Sequence, residues 1–161
     1  IRDNILYGNP DAAPADIDRA IELAQCREII DKLPAGLDTK IGTEGIYLSG
    51  GEQQRITLAR AFLKDAPILL LDEATAFADP ENEQEIQQAL RRLMHGKTVV
   101  MIAHRLTSVT DADTIVVMEQ GRIIEKGTHS QLFQKEGLYR RMWNEYQQSV
   151  QWDIRKTTKY A

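Results

Sequence analysis

Ile68-Leu69-Leu70-Leu71-Asp72-Glu73 is a run of four apolar residues closed by two adjacent carboxylates. A short apolar run that follows a turn residue, here Pro67, reads as a strand covered on both faces, as in a parallel sheet. The order downstream agrees: a helix over 80–95, a strand over 98–103, a short helix over 106–109 and a strand over 114–118. Strands alternating with helices signal a parallel sheet with crossover connections, so the expected class is α/β. The 80–95 helix is well marked, because Asp79 can cap it, Pro80 suits its first position, Glu81 and Glu83 suit its dipole, and Gly96 can stop it. Gln120-Gly121 then reads as a hairpin turn into a strand over 122–126. Two helices follow, the last docked through Leu138, Met142 and Tyr146 at four-residue spacing. From about Gln151 onward the chain is polar and expected to be loose.

Open parallel sheets bind ligands beyond the carboxyl ends of their strands. Asp72 and Glu73 close the first strand and His104 follows the second, so three titratable groups converge on one sheet edge. Adjacent carboxylates there suit a hydrated Mg²⁺ on one and the handling of a water on the other. A lone carboxylate in that place is more often a helix cap or a surface charge, and the company of His104 sets this pair apart. His95 and His129, at a helix end and in a loop, read as surface residues.

Upstream, Ile17, Ala20, Ile21 and Ala24 recur at helical spacing, followed by Ile29, Ile30 and Leu33, until Pro34-Ala35-Gly36 stops the run. After the loop over 42–47, Leu48-Ser49-Gly50-Gly51-Glu52-Gln53 opens a helix over 51–64 that carries Ile56, Ala59, Phe62 and Leu63 on one side. A hydroxyl and two glycines at a helix start turn free N–H groups and a positive dipole end toward an anion, which suits a phosphate. The plain alternative is a capped helix start. Spacing leaves open whether this stretch and the carboxylate pair serve one site or two.

The chain has 161 residues, 42% of them hydrophobic, enough for one ordinary domain with a core. Its net charge of −4 is concentrated in residues 1–47, with 5 basic and 9 acidic side chains, and the remainder balances at 15 and 15. No basic footprint for nucleic acid stands out. The single Cys26 has no partner for an internal disulfide or a cysteine metal site and reads as a semi-buried helix residue. No apolar stretch approaches the roughly 20 residues of a spanning helix. Ile1 is not an initiator methionine, and the opening Ile1-Arg2-Asp3-Asn4-Ile5-Leu6-Tyr7-Gly8 reads as the middle of a longer sequence.

Gly96-Lys97-Thr98 invites comparison with the phosphate-binding pattern G-x-x-x-x-G-K-[ST]. It fails twice, because Arg91 stands where the first glycine belongs and because this loop joins a helix to a strand. It reads as a helix stop, which leaves a phosphate-handling chain without a main phosphate cradle.

These stretches together resemble the nucleotide-binding domain of ABC transporters of the exporter type, over residues 1 to about 147. Residues 48–55 look like the signature motif, 68–73 like Walker B with its following glutamate, 76–79 like the D-loop, and His104 like the switch histidine. The resemblance implies the C-terminal two-thirds of a P-loop NTPase (RecA-like) domain: an α-helical signature subdomain over 1–66, an α/β catalytic part over 67–147 and a polar tail over 148–161. It implies ATP and Mg²⁺ as cofactors. Leu48, Ser49, Gly50, Gly51, Glu52, Gln53 and Asp79 would face a nucleotide held by a second such domain, in a homo- or heterodimer. Asp72 would hold Mg²⁺ through water, Glu73 would act as base or water-positioning group, and His104 would sense the γ-phosphate.

A transmembrane domain is the other implied partner, and the cytoplasmic face of the inner membrane the implied location. The aromatic stacking loop, Walker A and the Q-loop would precede Ile1, so the chain by itself is expected to be inactive. Three departures stand out. The D-loop reads Ala76-Phe77-Ala78-Asp79 without the usual serine, and Asp79 is equally suited to capping a helix. In Gly42-Thr43-Glu44-Gly45 the glutamate falls one place later than in many exporters. The stretch AFADPENE over 76–83 resembles a siderophore-handling subgroup. A soluble ABC ATPase acting on DNA or ribosomes and an inactive truncated domain are the alternatives. Intact Asp72, Glu73 and His104 speak against degeneracy.

Overall fold

The computed structural model describes residues 1–43, 45–72, 80–103 and 106–158. The chain forms two compact units, Ile1–Ile102 and Ala103–Ala161. The first contains helices α1 (Arg2–Leu6), α2 (Pro14–Leu23), α3 (Arg27–Asp31) and α4 (Gly50–Lys64), strand β1 (Ile68–Asp72), helix α5 (Pro80–Met94) and strand β2 (Thr98–Ile102).

The helical unit expected from Ile17 to Leu33 is built of two helices, α2 and α3. Ala24 ends α2, Gln25 takes a left-handed φ of 58°, and the amides of Gln25 and Cys26 donate back to Glu22 O and Ile21 O at 3.1 and 2.9 Å. This is a Schellman closure with glutamine where glycine is usual. Cys26, fully buried just past the turn, has its thiol pushed up to about 12 by burial, with the charge of Arg55 opposing.

Helix α4 lies at the centre of the unit and packs on α1, α2 and α5. Ile56, Ala59 and Leu63 form its buried stripe together with Leu58, and Ile86, Ala89, Leu90 and Leu93 do the same for α5. Gly8, just past α1, approaches α4 so closely that a Cβ would collide with the carbonyl oxygen of Arg60.

Strands β1 and β2 pair in parallel, from Ile68 opposite Thr98 to Asp72 opposite Ile102. Side chains on one strand alternate between faces, and the two faces differ sharply here. Leu69, Leu71 and Val99 pack into the core. On the other face Ile68, Leu70, Val100 and Ile102 are 60, 77, 53 and 59% exposed. The reading of 68–71 as a strand covered on both faces therefore holds for one face only among the described residues. At the other end of the crossover, Gly96 adopts φ 73° and stops α5. Lys97 turns its ammonium to Asp65 Oδ1 at 2.8 Å, in agreement with the helix-stop reading of 96–98.

The second unit has a 3₁₀ turn at Leu106–Val109, strands β3 (Ile115–Glu119) and β4 (Arg122–Gly127), and helices α6 (His129–Gln134) and α7 (Leu138–Thr158). Strand β3, expected beside the parallel strands, pairs antiparallel with β4 in a two-stranded sheet of its own. The turn explains this local pairing: Gln120 and Gly121 both have positive φ, 49° and 76°, the type I′ geometry that matches strand twist. Ile115, Val117, Leu132, Tyr139 and Trp143 form the core here.

His129 is not the surface residue expected. Its ring lies 4.7 Å from that of Trp143, and Nδ1 lies 2.7 Å from the Tyr139 hydroxyl. The docked face of α7 is centred on the buried Tyr139 and Trp143; of the expected residues Leu138 packs against this core and Tyr146 lies beside Trp143, while Met142 is 39% exposed. The Glu125 carboxylate accepts from the Tyr139 amide at 2.7 Å and so caps α7. The stretch expected to be loose from Gln151 onward is helical as far as Thr158, with no glycine or proline to break it.

Gly8→Ala isolates the close approach of α1 to α4. Alanine at an unstrained site would slightly stabilise through the unfolded chain, whereas the clash is expected to cost about 2 kcal/mol; chemical denaturation gives the sign. Lys97→Ala tests the Asp65 pair. The hydrogen bond from Lys97, and then its charge, hold the Asp65 carboxyl below the usual carboxylate range. With Asp65 largely exposed, the pair is worth about 0.2–1 kcal/mol at neutral pH. That contribution is present above the unfolded carboxyl value of about 3.9 and is lost as pH falls through the lower folded value. Wild type and variant should therefore differ at pH 7 and converge in acid.

Candidate functional site

Ser49 sits immediately before α4 in extended geometry, φ −61° and ψ 162°. Its Oγ accepts from the Glu52 amide at 3.3 Å while the Glu52 carboxylate accepts from the Ser49 amide at 2.8 Å, a reciprocal capping box. Two more bonds fix the entry: the Gln53 side-chain amide donates to Leu48 O and the Gln53 backbone amide to Ser49 O, each at 2.9 Å. Leu48 is 8% exposed and anchors the turn in the core.

Of the six residues expected to face a nucleotide here, four therefore have structural work: Leu48 anchors, Ser49 and Glu52 cap, and Gln53 ties the turn. Ser49 and Gly50 lie on the exposed side. The amides of Gly50 and Gly51 precede the first intrahelical bond, and the Ser49 hydroxyl, accepting with one lone pair, keeps its proton for donation. Donors of this kind at the positive end of a fifteen-residue helix fit a phosphate oxygen.

The loop before the signature is held by glycine. The Ile46 amide donates to Lys40 O at 2.9 Å, and Gly45 lies so close to that carbonyl that any Cβ would strike it. Between this loop, α1 and the start of α4 lies a groove of about 350 Å³, bordered by Asn4, Ile41, Tyr47, Leu48, Gln53 and Arg60. Tyr47 stands 75% exposed beside it. Glu44 lies outside the described residues.

Asp72 is the last residue of β1, exposed, with Ile102 as its register partner. Glu73 follows Asp72 directly and His104 comes two residues after Ile102. The strand ends from which both lead are thus side by side, while Glu73, Asp79 and His104 themselves lie outside the described residues. No cluster of three or more metal-ligating side chains occurs among the described residues. A single exposed carboxylate fits Mg²⁺ nonetheless, because that ion keeps several waters and is commonly held by one or two carboxylates plus substrate phosphates.

A model of the ABC transporter family matches residues 2–76, a span that holds both the Ser49 cap and the Asp72-Glu73 pair. The ATP-dependent lipid A-core flippase of Pseudomonas aeruginosa is 49% identical over 143 residues, covering 88% of this chain and 24% of that protein. The flippase of the same name from Nitrosococcus oceani is 55% identical over 145 residues, covering 87% and 24%. A bacterial Atm1-family ABC exporter, solved with ATP bound, superposes with a TM-score of 0.77 at 44% identity, over 88% of this chain and 25% of that one. The chain belongs to the ABC transporter family. It spans about a quarter of the length of the relatives it matches. Those relatives are named as lipid A-core flippases, so they lend no support to the siderophore resemblance of residues 76–83.

Arg55 is the residue that sequence reading of this family site passed over. The signature reading of 48–55 gives it no role of its own, yet its side chain is 8% exposed and ion-paired with Glu85 thirty residues on. A charged residue on the core side of an amphipathic helix was the available signal. Ser49→Ala should cost about 1 kcal/mol through loss of the cap, read by denaturant titration. Ser49→Thr, which keeps an acceptor, should stay close to wild type.

Proposed function

We propose that this chain is part of the ATP-binding and ATP-hydrolysing subunit of an exporter-type ABC transporter, acting on the cytoplasmic face of the inner membrane. The observation that supports it most is the coexistence of two phosphate-directed ends in one unit. These are a capped helix start with exposed donors at Ser49 and Gly50, and an exposed carboxylate at the carboxyl end of a parallel strand.

In this reading Ser49 and the amides of Gly50 and Gly51 bind the γ-phosphate of a nucleotide held mainly by a second ABC domain, with Asp79 at the same dimer face. Asp72 holds a water-ligated Mg²⁺. Bound Mg²⁺–ATP supplies the labile phosphoryl group and the charge neutralisation that its transfer requires. Glu73 orients the attacking water and takes its proton, and His104 bonds the γ-phosphate. The subdivision into a signature part over 1–66 and a catalytic part over 67–147 follows from these roles. The transmembrane domain such exporters carry is the partner that sets the cargo. No helix among the described residues is long and apolar enough to cross a membrane. No G-x-x-x-x-G-K-[ST] pattern occurs within these 161 residues, so the main phosphate cradle of the assembled site is assigned to sequence outside them. The names of the relatives, flippases and an exporter, favour this reading over a soluble ABC ATPase.

In the full protein, Glu73→Gln should leave ATP binding within a fewfold of wild type and slow turnover by about 10²–10⁴, the usual contribution of a positioned base. Steady-state phosphate release with equilibrium nucleotide binding checks both halves, and near-normal turnover in the variant would remove Glu73 from the role.

A further inference from the structure

Arg55 lies six residues into the helix that Ser49 caps, with its guanidinium on the buried side. Nη1 donates to the backbone oxygen of Gln25 at 3.1 Å and to the Glu85 carboxylate. Gln25 is the left-handed residue that closes α2, and its side-chain amide donates to Gln88 Oε1 at 3.3 Å. One guanidinium therefore ties α2, α4 and α5 together, and Gln25–Gln88 adds a second strut between the same elements. Burying an arginine is costly, and the cost is offset only where the geometry fixes its partners. An apolar side chain would fill this place in a helix interface more cheaply, as Ile56 and Ala59 on α4 and Ile86 and Ala89 on α5 do beside it.

The two helices joined in this way lead to different ends of the proposed chemistry. Helix α4 begins at the Ser49 donors, and α5 begins one residue after Asp79 and eight after Asp72. Removing the bridge would leave the apolar packing of α4 on α5 in place while deleting the polar link between them.

We propose that Arg55 is a positioning residue that, through Glu85 and Gln25, locks the helix bearing the phosphate donors to the helix leading from the carboxylates, so that occupation of one nucleotide half-site is felt at the other. This rests on the functional reading above. If Ser49 serves the partner's nucleotide and Asp72 the chain's own, the bridge is an intramolecular link between the two nucleotides of the dimer.

The test uses the full transporter, with Arg55→Met, Arg55→Lys, Glu85→Gln and the Arg55→Met/Glu85→Gln double variant. Wild type is expected to show a Hill coefficient for ATP of about 2, falling to about 1 in Arg55→Met and Glu85→Gln. Their kcat per folded molecule should fall about tenfold with KM moved less than threefold, and the double variant should be no worse than either single one. Arg55→Lys keeps the charge toward Glu85 and should recover part of the cooperativity. Hydrogen exchange gives a readout independent of turnover: ATP should slow exchange at the starts of both α4 and α5 in wild type, and at α4 alone in Arg55→Met.

A residue that merely held the fold would lower thermal stability and the active fraction while leaving the Hill coefficient and the exchange pattern as in wild type, and that result would overturn the proposal. Should Arg55→Met fail to fold, Glu85→Gln, which alters the half-exposed partner, carries the same test. ATP turnover with normal cooperativity in these variants sinks this inference alone. Absence of turnover in the wild-type transporter, or normal turnover in Glu73→Gln, sinks the functional reading and this inference with it.

Discussion

Residues 1–102 are organised by the burial of one helix on several sides. Helix α4 meets α1, α2 and α5, which leaves only Gly50, Gln53, Thr57 and Lys64 exposed along it. Small residues fall where neighbours come close: Ala59 is fully buried on the helix, Ala89 fully buried on α5, and Gly8 sits against the Arg60 carbonyl. Close packing of this kind transmits displacement, since interiors at crystal-like density do not absorb strain locally. It also fixes the direction in which the Ser49 end of the helix points. The capping box and the Gln53 bonds then need only hold the first turn, because the axis is already set from three sides.

Local signals were largely legible in the sequence. Gly51–Lys64 as a helix, Pro80 as a helix start and Gly96 as a stop follow from capping chemistry and breaker residues acting over a few positions, and the observed elements Gly50–Lys64 and Pro80–Met94 agree closely. The strand Ile68–Asp72 and its parallel partner Thr98–Ile102 were readable for the same reason. Asp72 at a strand terminus and Ser49 at a helix start could be placed from pattern alone. Their neighbours Leu48, Glu52 and Gln53 could not be sorted into binding and scaffolding roles, because that distinction depends on which atoms are already spent on the helix start.

Contacts distant in sequence were not legible. Arg55 and Glu85 are separated by thirty residues, and although the place of Arg55 on the core side of its helix hints at burial, nothing local to either residue names the other as its partner. His129 misled for a related reason. A histidine after a loop threonine reads as exposed, but its ring sits among Phe133, Tyr139 and Trp143 because α6 folds back on α7. On α7 the stripe Leu138, Met142, Tyr146 borders the docked pair Tyr139 and Trp143, which has the same four-residue spacing, so spacing alone does not single out the buried centre. Periodicity gives a repeat, and only the neighbouring surface gives its phase.

The two-stranded sheet has a consequence of its own. Ile68, Leu70, Val100 and Ile102 present a branched-aliphatic surface to solvent, formed by strands rich in the residues that favour extended pairing. Among the described residues of β1 and β2 only Asp72 and Thr98 interrupt this face. Handled as a separate polypeptide, the chain would behave in the test tube as a sticky species. It would tend to self-associate and to bind hydrophobic dyes while still folded.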